Sequence, residues 1–327
     1  KMQMQNNIIL ESSLVTLDGI SNELESNNKE DQDNFEFLRA RLGNYLAGLI
    51  EADGSFAVHD KKSKSKRYTP KILIVFSLND IPLAEKLISI TGVGKLYIKN
   101  KQGCAIWHIQ NINDVIIMIK IINGFMRTPK IEALHRAINW YNNNMGTNIE
   151  LLGLDLSPIN SNAWLAGFSD GDSNFSITLT DRKKKGSITS KRVRAFFRIE
   201  LRQNYHREAS VEQGGISYFR ILSEISRYFD VNLYSRSREE ANKIYYSYTV
   251  IAHSISSHLK VIEYFDRYPL YSSKYLAYKD WKHVVEQIRL RDGKPLTSED
   301  IMEIEKIKAQ FNNNRTIFDF SHLDSIV

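Results

Sequence analysis

Two aspartates, Asp53 and Asp172, stand at the same place in two copies of one motif. The first copy reads Tyr45-Leu46-Ala47-Gly48-Leu49-Ile50-Glu51-Ala52-Asp53-Gly54-Ser55-Phe56, and the second reads Trp164-Leu165-Ala166-Gly167-Phe168-Ser169-Asp170-Gly171-Asp172-Ser173-Asn174-Phe175. An internal repeat of this kind outranks any single motif. Paired carboxylates with no cluster of Cys or His nearby are hard oxygen ligands. They point to Mg2+ or a similar divalent ion, with Mn2+ or Ca2+ as substitutes.

Such a pair needs elements that bring it together. Leu46, Leu49 and Ile50, like Leu165 and Phe168, have helical i, i+3, i+4 spacing. Ala47-Gly48 and Ala166-Gly167 lower the helix surface at the same point in both copies. A mid-helix Gly costs roughly 0.5–1 kcal/mol relative to Ala, and close approach of two backbones would justify it. Packed through those faces, the helices would bring Asp53 and Asp172 together at C-terminal ends that already carry partial negative charge, an unfavourable arrangement unless a cation joins them. A duplicated helical hairpin with capping acids would explain Ala-Gly, but not the recurring Asp.

These residues resemble the LAGLIDADG homing endonucleases and the related intron maturases, in the single-chain form with two motifs. The likeness extends from about Phe35 to about Trp281. It implies that Asp53 and Asp172 hold the catalytic metal, with Ala52 and Gly171 beside them as further metal-site candidates. Glu51 and Asp170 match an earlier acid that is not usually an essential ligand. One departure is Ser173, where the first copy has Gly54; the turn after Asp172 is then less free to take positive φ. The family draws a basic residue from the start of the last helix of each half. Tyr268-Pro269-Leu270-Tyr271-Ser272-Ser273-Lys274 nominates Lys274, and Phe125-Met126-Arg127-Thr128-Pro129-Lys130 nominates Lys130. A polar residue ending the second strand completes each site, which gives Gln203 in the second half and Asn79 or Asp80 in the first. The implied activity is a metal-dependent, staggered double-strand cut in a long DNA target by a monomer. The alternative is a group I intron maturase that binds RNA.

Composition agrees with a polyanionic partner. Net charge is +6, yet residues 1–36 hold two lysines and eight acids, leaving +12 on the remainder. A basic body of that size favours nucleic acid. No apolar run approaches the length of a membrane span. The single cysteine, Cys104, precludes an internal disulfide and a Cys-based zinc site.

Along the chain, residues 1–34 read as a polar, acidic arm without the features of a transit or signal peptide. Asp31 or Asp33 could cap the helix leading into the first motif. Residues 35–141 form a first half, 142–162 an Asn-rich linker, 163–282 a second half and 283–327 a charged helical tail of unassigned role. Each half reads α-β-β-α-β-β-α. The expected fold is therefore α+β, with two pseudo-symmetric halves forming a saddle of antiparallel sheets over a two-helix interface.

On the expected strand from Arg192 to Gln203, Val193, Ala195, Phe197, Ile199 and Leu201 share one face. Arg192, Arg194, Arg198 and Arg202 share the other with Phe196 and Glu200. Four crowded arginines suit phosphates and guanine edges in a major groove. Basic loops at Lys61, Lys62, Lys64, Lys66 and Arg67, and at Arg182, Lys183, Lys184 and Lys185, would extend the contact, with Tyr234, Arg236, Arg238, Tyr246 and Tyr248 on a second hairpin. The abundance of Asn, Ile and Lys suggests an AT-rich genome, which together with the resemblance favours mitochondria, with chloroplasts as the alternative.

Overall fold

The computed structural model describes residues 29–58, 68–184 and 187–326, without the side chains of residues 30, 31, 183, 184 and 187–190. The first half runs α1 (Lys29–Asp53), β1 (Gly54–Ala57), β2 (Lys71–Ser77), α2 (Ile81–Thr91), β3 (Lys95–Lys99), β4 (Cys104–Ile109), α3 (Ile112–Ile122) and α4 (Ile131–Met145). The second runs α5 (Trp164–Asp172), β5 (Ser173–Lys184), β6 (Ser187–Arg202), α6 (Phe219–Phe229), β7 (Leu233–Glu240), β8 (Lys243–Ala252), α7 (Ile255–Arg267) and α8 (Lys274–Leu290), followed by α9 (Ser298–Ala309). Each half holds a four-stranded antiparallel sheet of matching order, β1-β2-β4-β3 and β5-β6-β8-β7. The expected α+β plan holds, with the final helix of each half present as two. No helix among the described residues is long and apolar enough to cross a membrane.

Alternation sorts the sheets into a core face and an outer face. Ile72, Ile74 and Phe76 of β2 are buried, as are Ala195, Phe197 and Ile199 of β6. Arg192, Arg194, Arg198, Glu200 and Arg202 are exposed on the opposite face of β6. Phe175 and Phe197 meet Phe265, at 5.9 and 5.5 Å between ring centroids, so aromatic packing ties this sheet to α7.

Several local expectations fail for identifiable reasons. α1 already runs through Asp31 and Asp33, so neither caps its start. Helix α4 continues to Met145, into the expected linker. The segment after it is held by side chains: Asp155 pairs with the fully buried Arg127 at 2.7 Å, and Arg127 also donates to the Ser157 carbonyl. Asp181 to Lys184 and Ser187 to Lys191 continue β5 and β6 instead of forming a loop, with a register shift between Arg182 and Lys183. Lys61, Lys62, Lys64, Lys66, Arg67 and Lys185 lie outside the described residues.

The β7–β8 turn is the two-residue loop Ala241-Asn242, with φ of 48° and 63°. Both positions demand the left-handed region, which Asn and Gly enter at less cost than Ala. Replacing the pair by Asn-Gly is expected to raise stability by about 1 kcal/mol, read from urea unfolding.

Candidate active site

Helices α1 and α5 pack with backbones nearly touching. A Cβ on Gly48 would fall 2.1 Å from the Trp164 carbonyl oxygen, and one on Gly167 would fall 1.9 Å from that of Tyr45. Only glycine permits this approach, which is what the small faces of the motifs provide. At the C-terminal end the same contact continues: a Cβ on Gly171 would meet Ala52 Cβ at 2.3 Å and Asp53 Oδ2 at 2.9 Å. Asp53 and Asp172 are thus delivered side by side. Ser173 adopts extended backbone (φ −110°) and donates from its Oγ to the Ser169 carbonyl at 2.7 Å, so the turn after Asp172 needs no glycine.

Burial of its surroundings, and then the charge of Asp172, push the Asp53 carboxyl from 3.8 up to about 6. Burial also raises Asp172, opposed by Lys130, Lys274 and Arg202. Each carboxylate is costly to ionise beside the other, so the pair favours a proton or a cation between them. Among the described residues no group of three or more His, Cys, Asp and Glu could hold a metal. Two carboxylates that leave the other positions to water and phosphate oxygens suit a hard divalent ion that keeps part of its hydration shell. The donor set therefore fits Mg2+ or a similar cation.

The lysines cap the motif helices. Lys130 Nζ donates to the carbonyls of Ile50 (3.1 Å), Ala52 (3.4 Å) and Gly54 (2.9 Å), and Lys274 Nζ to those of Ser169 (3.1 Å) and Gly171 (2.5 Å). Cations are stabilised at helix C-termini, where carbonyls lack intrahelical partners. The Ala52 and Gly171 carbonyls, candidates for metal, thus each accept an ammonium proton. Burial lowers the pKa of both lysines, while the acids around them oppose the shift.

The earlier acids hold this arrangement together. Glu51 accepts from the Arg127 amide (3.0 Å), the Thr128 amide and hydroxyl (2.6 Å each) and Trp164 Nε1 (2.6 Å). Asp170 accepts from the Tyr271 and Ser272 amides (2.8 and 3.2 Å), the Ser272 hydroxyl (2.5 Å) and the Tyr45 hydroxyl (2.6 Å). Each acid grips the turn that carries its own half's lysine, and also the lead aromatic of the opposite motif. Burial raises the pKa of both acids, and these hydrogen bonds work against the rise. The sequence supplied only a carboxylate two residues before each Asp, so the partners could not be read from it.

A cavity of about 490 Å³ opens here, lined by Glu51, Ala52, Lys130, Asp172, Glu200 and Arg202 together with Tyr205, His206 and Arg207. Arg202, expected only on the outer strand face, therefore also lines the cavity that holds Asp172, and its charge opposes the rise of the Asp172 pKa. Tyr205, His206 and Arg207 come from the segment after β6, and no periodicity marks them. Gln203 is not among the lining residues. Its Nε2 donates to Ser235 Oγ at 2.7 Å, which ties it to β7 instead. In the first half Asp80 is buried and accepts from Ser77 Oγ (2.7 Å) and the Ser273 amide (2.6 Å), so it braces the turn before Lys274. On the outer sheet face Arg236 and Arg198 flank Glu200 at 3.5 and 3.9 Å. Arg238 pairs with Glu240, and Tyr246 is 55% exposed. Arg182 is exposed on β5, and Lys183 and Lys184 follow it on the same strand.

The family model described as LAGLIDADG endonuclease matches residues 46–141 and 165–285. The intron-encoded DNA endonuclease aI3 of Saccharomyces cerevisiae is 38% identical over 327 aligned residues, covering 91% of this chain and 78% of the relative. An uncharacterized cox1 intron-2 37.2 kDa protein of Schizosaccharomyces pombe is 31% identical over 281 residues, covering 82% and 72%. Among solved structures, the LAGLIDADG homing endonuclease I-GzeII in complex with its DNA target has the same fold, with a TM-score of 0.59 at 19% identity over 84% of this chain and 99% of that one. I-SmaMI, solved with uncleaved DNA in the presence of calcium ions, gives 0.57 at 18% identity over 82% and 98%. With two matched copies of the motif joined through their glycine faces, the chain belongs to the LAGLIDADG endonuclease family.

Proposed function

We propose that the protein is an intron-encoded, site-specific endonuclease that hydrolyses one phosphodiester bond in each strand of a long duplex DNA target, leaving short staggered ends. The observation that carries this reading is the convergence of Asp53 and Asp172 beside Lys130, Lys274 and Arg202. Asp53 and Asp172 would hold a divalent cation, Mg2+ in the cell, which supplies Lewis-acid stabilisation of phosphate charge and lowers the pKa of a bound water. Lys130 and Lys274, fixed by helix carbonyls, set positive charge where the phosphorane gains negative charge. Arg202 adds a further cation beside Asp172. Water supplies the new P–O bond, the bond to the 3′ oxygen breaks, and that oxygen leaves with a proton from the surrounding water.

The exposed face of β6 would lie in the major groove, with Arg192, Arg194, Arg198 and Arg202 on phosphates and base edges. Arg236, Arg238, Tyr246 and the basic positions from Lys61 to Arg67 and from Arg182 to Lys185 would extend that contact. The DNA complexes of the solved homing endonucleases, and the similarity to intron-encoded proteins, support this reading. The cox1 intron relative and the Asn-, Ile- and Lys-rich composition favour a mitochondrial origin over a chloroplast one.

Incubating the protein and Mg2+ with a plasmid carrying the intronless insertion site, then mapping both ends, tests the reading. A pair of staggered cuts supports it. An uncut plasmid with restored intron splicing would favour the RNA maturase alternative. Arg198→Ala is expected to weaken DNA binding several-fold and to reduce the slope of log K against log salt by about 1. A titration at several salt concentrations reads that slope.

A further inference from the structure

The two lysine-bearing turns correspond residue by residue: Met126 with Leu270, Arg127 with Tyr271, Thr128 with Ser272, and Lys130 with Lys274. The amide side of each turn is gripped by a buried acid, as described above. The carbonyl side is gripped as well, and by unrelated parts of the chain. In the first half, Arg220 Nη2 of α6 donates to the Arg127 carbonyl at 2.6 Å. At the equivalent place in the second half, His322 Nε2 donates to the Tyr271 carbonyl at 2.9 Å.

His322 belongs to the C-terminal tail, and the tail is built to hold it there. Its ring stacks on Tyr275, one residue after Lys274, at 4.1 Å and 20°. Leu323 within the tail's last turn, Ser321–Ser325, and Ile326 just after it are buried, at 6% and 1% exposure. Upstream, Asn312 Nδ2 donates to the Phe175 carbonyl at 2.9 Å, Arg315 pairs with Asp280, and α9 buries Ile304. The tail therefore crosses from the first strand of the second sheet to the opening turn of α8.

We infer that the C-terminal tail is a working part of the second half-site, in which His322 is a positioning residue that holds Tyr271–Lys274, and through it the Lys274 ammonium, as Arg220 holds the turn of Lys130. Misplacing a catalytic group by about an ångström can cost up to two orders of magnitude in rate, so a single backbone anchor suffices for a measurable effect. The inference rests on the nuclease reading for its functional consequence. Its structural content, that His322 steadies the Tyr271–Lys274 turn, does not.

The test uses the full chain and a target duplex labelled on each strand in turn. His322→Ala is expected to slow cleavage of one strand roughly tenfold, so that nicked duplex accumulates. Arg220→Ala should slow the other strand instead. His322→Gln, which keeps a donor for the Tyr271 carbonyl, should recover most of the lost rate. Hydrogen exchange supplies the second readout: the His322→Ala variant should exchange faster across residues 269–276 and no faster across 125–132. Equal slowing of both strands with a lowered melting temperature would reduce the tail to general stabilisation and overturn the proposal, as would unchanged exchange at 269–276. A wild type that cuts neither strand would instead remove the nuclease reading, leaving the exchange result to decide the role of His322.

Discussion

Asp53→Asn is expected to abolish cleavage of both strands, with the rate falling roughly 10³-fold or more, while DNA binding is kept or tightened. Asn preserves shape and a carbonyl oxygen but removes the charge that attracts a divalent ion. It also removes a carboxylate from a surface that must accept phosphates. Single-turnover cleavage and a gel-shift titration of the same preparation separate the two effects. Loss of binding together with cleavage would show that the substitution had damaged the fold.

The same substitution has a stability signature of defined sign. The Asp53 carboxyl loses its proton near its ordinary 3.8 in the unfolded chain and near about 6 in the folded one. Between those values this group binds more protons in the folded state, so its contribution to stability must fall as pH rises through that interval. Relative to the Asp53→Asn variant, the metal-free protein is therefore expected to lose melting temperature between pH 5 and pH 7.5; the buried His258, held down to about 4, moves the baseline shared by both proteins the other way. A divalent cation should restore the difference at the higher pH and do little at the lower. Asp53→Asn should lack this component, and thermal melts of both proteins with and without Mg2+ provide the measurement.

The second large effect belongs to the helix interface. Gly167→Ala would place a methyl 1.9 Å from the Tyr45 carbonyl oxygen and 3.0 Å from the Leu49 nitrogen. These are backbone atoms of a neighbouring helix, so no side chain can turn aside, and α1 and α5 must move apart. Separation would weaken the Trp164–Glu51 and Tyr45–Asp170 hydrogen bonds that cross the interface, and leave buried acids short of donors. A loss of roughly 3 kcal/mol or more is expected, at the upper end of overpacking costs. Gly48→Ala, with a methyl 2.1 Å from the Trp164 carbonyl oxygen, should behave alike. Gly153→Ala is the control, because no heavy atom lies within 4 Å of its added carbon. Urea unfolding midpoints compare the three.

Much of this architecture is written in local spacing. The period of two from Val193 to Leu201 marks the core face of β6, and Phe197 and Ile199 are fully buried on it. The duplicated Ala-Gly pair marks where two helices meet, because a glycine without a Cβ lets the facing backbone come this close. Charge alone does not mark a loop: Asp181 to Lys191 carry a basic, polar sequence, yet most of the segment pairs as strand. A long two-stranded ribbon can leave both faces to solvent, so it needs no apolar alternation to announce it.

The sequence by itself determined the duplication, the two motif helices, the paired aspartates and the arginine-bearing strand, because each depends on residues close together in the chain; Lys130, just before α4, and Lys274, at the start of α8, followed from the family resemblance. Only the tertiary structure decided which groups receive whose hydrogen bonds. Glu51 and Asp170 became anchors for the lysine turns, Gln203 turned to Ser235, Arg202 came to line the cavity that holds Asp172, and the tail brought His322 to Tyr271. Those partners lie far apart along the chain. The need to satisfy buried polar atoms selects them only after the helices and sheets have packed.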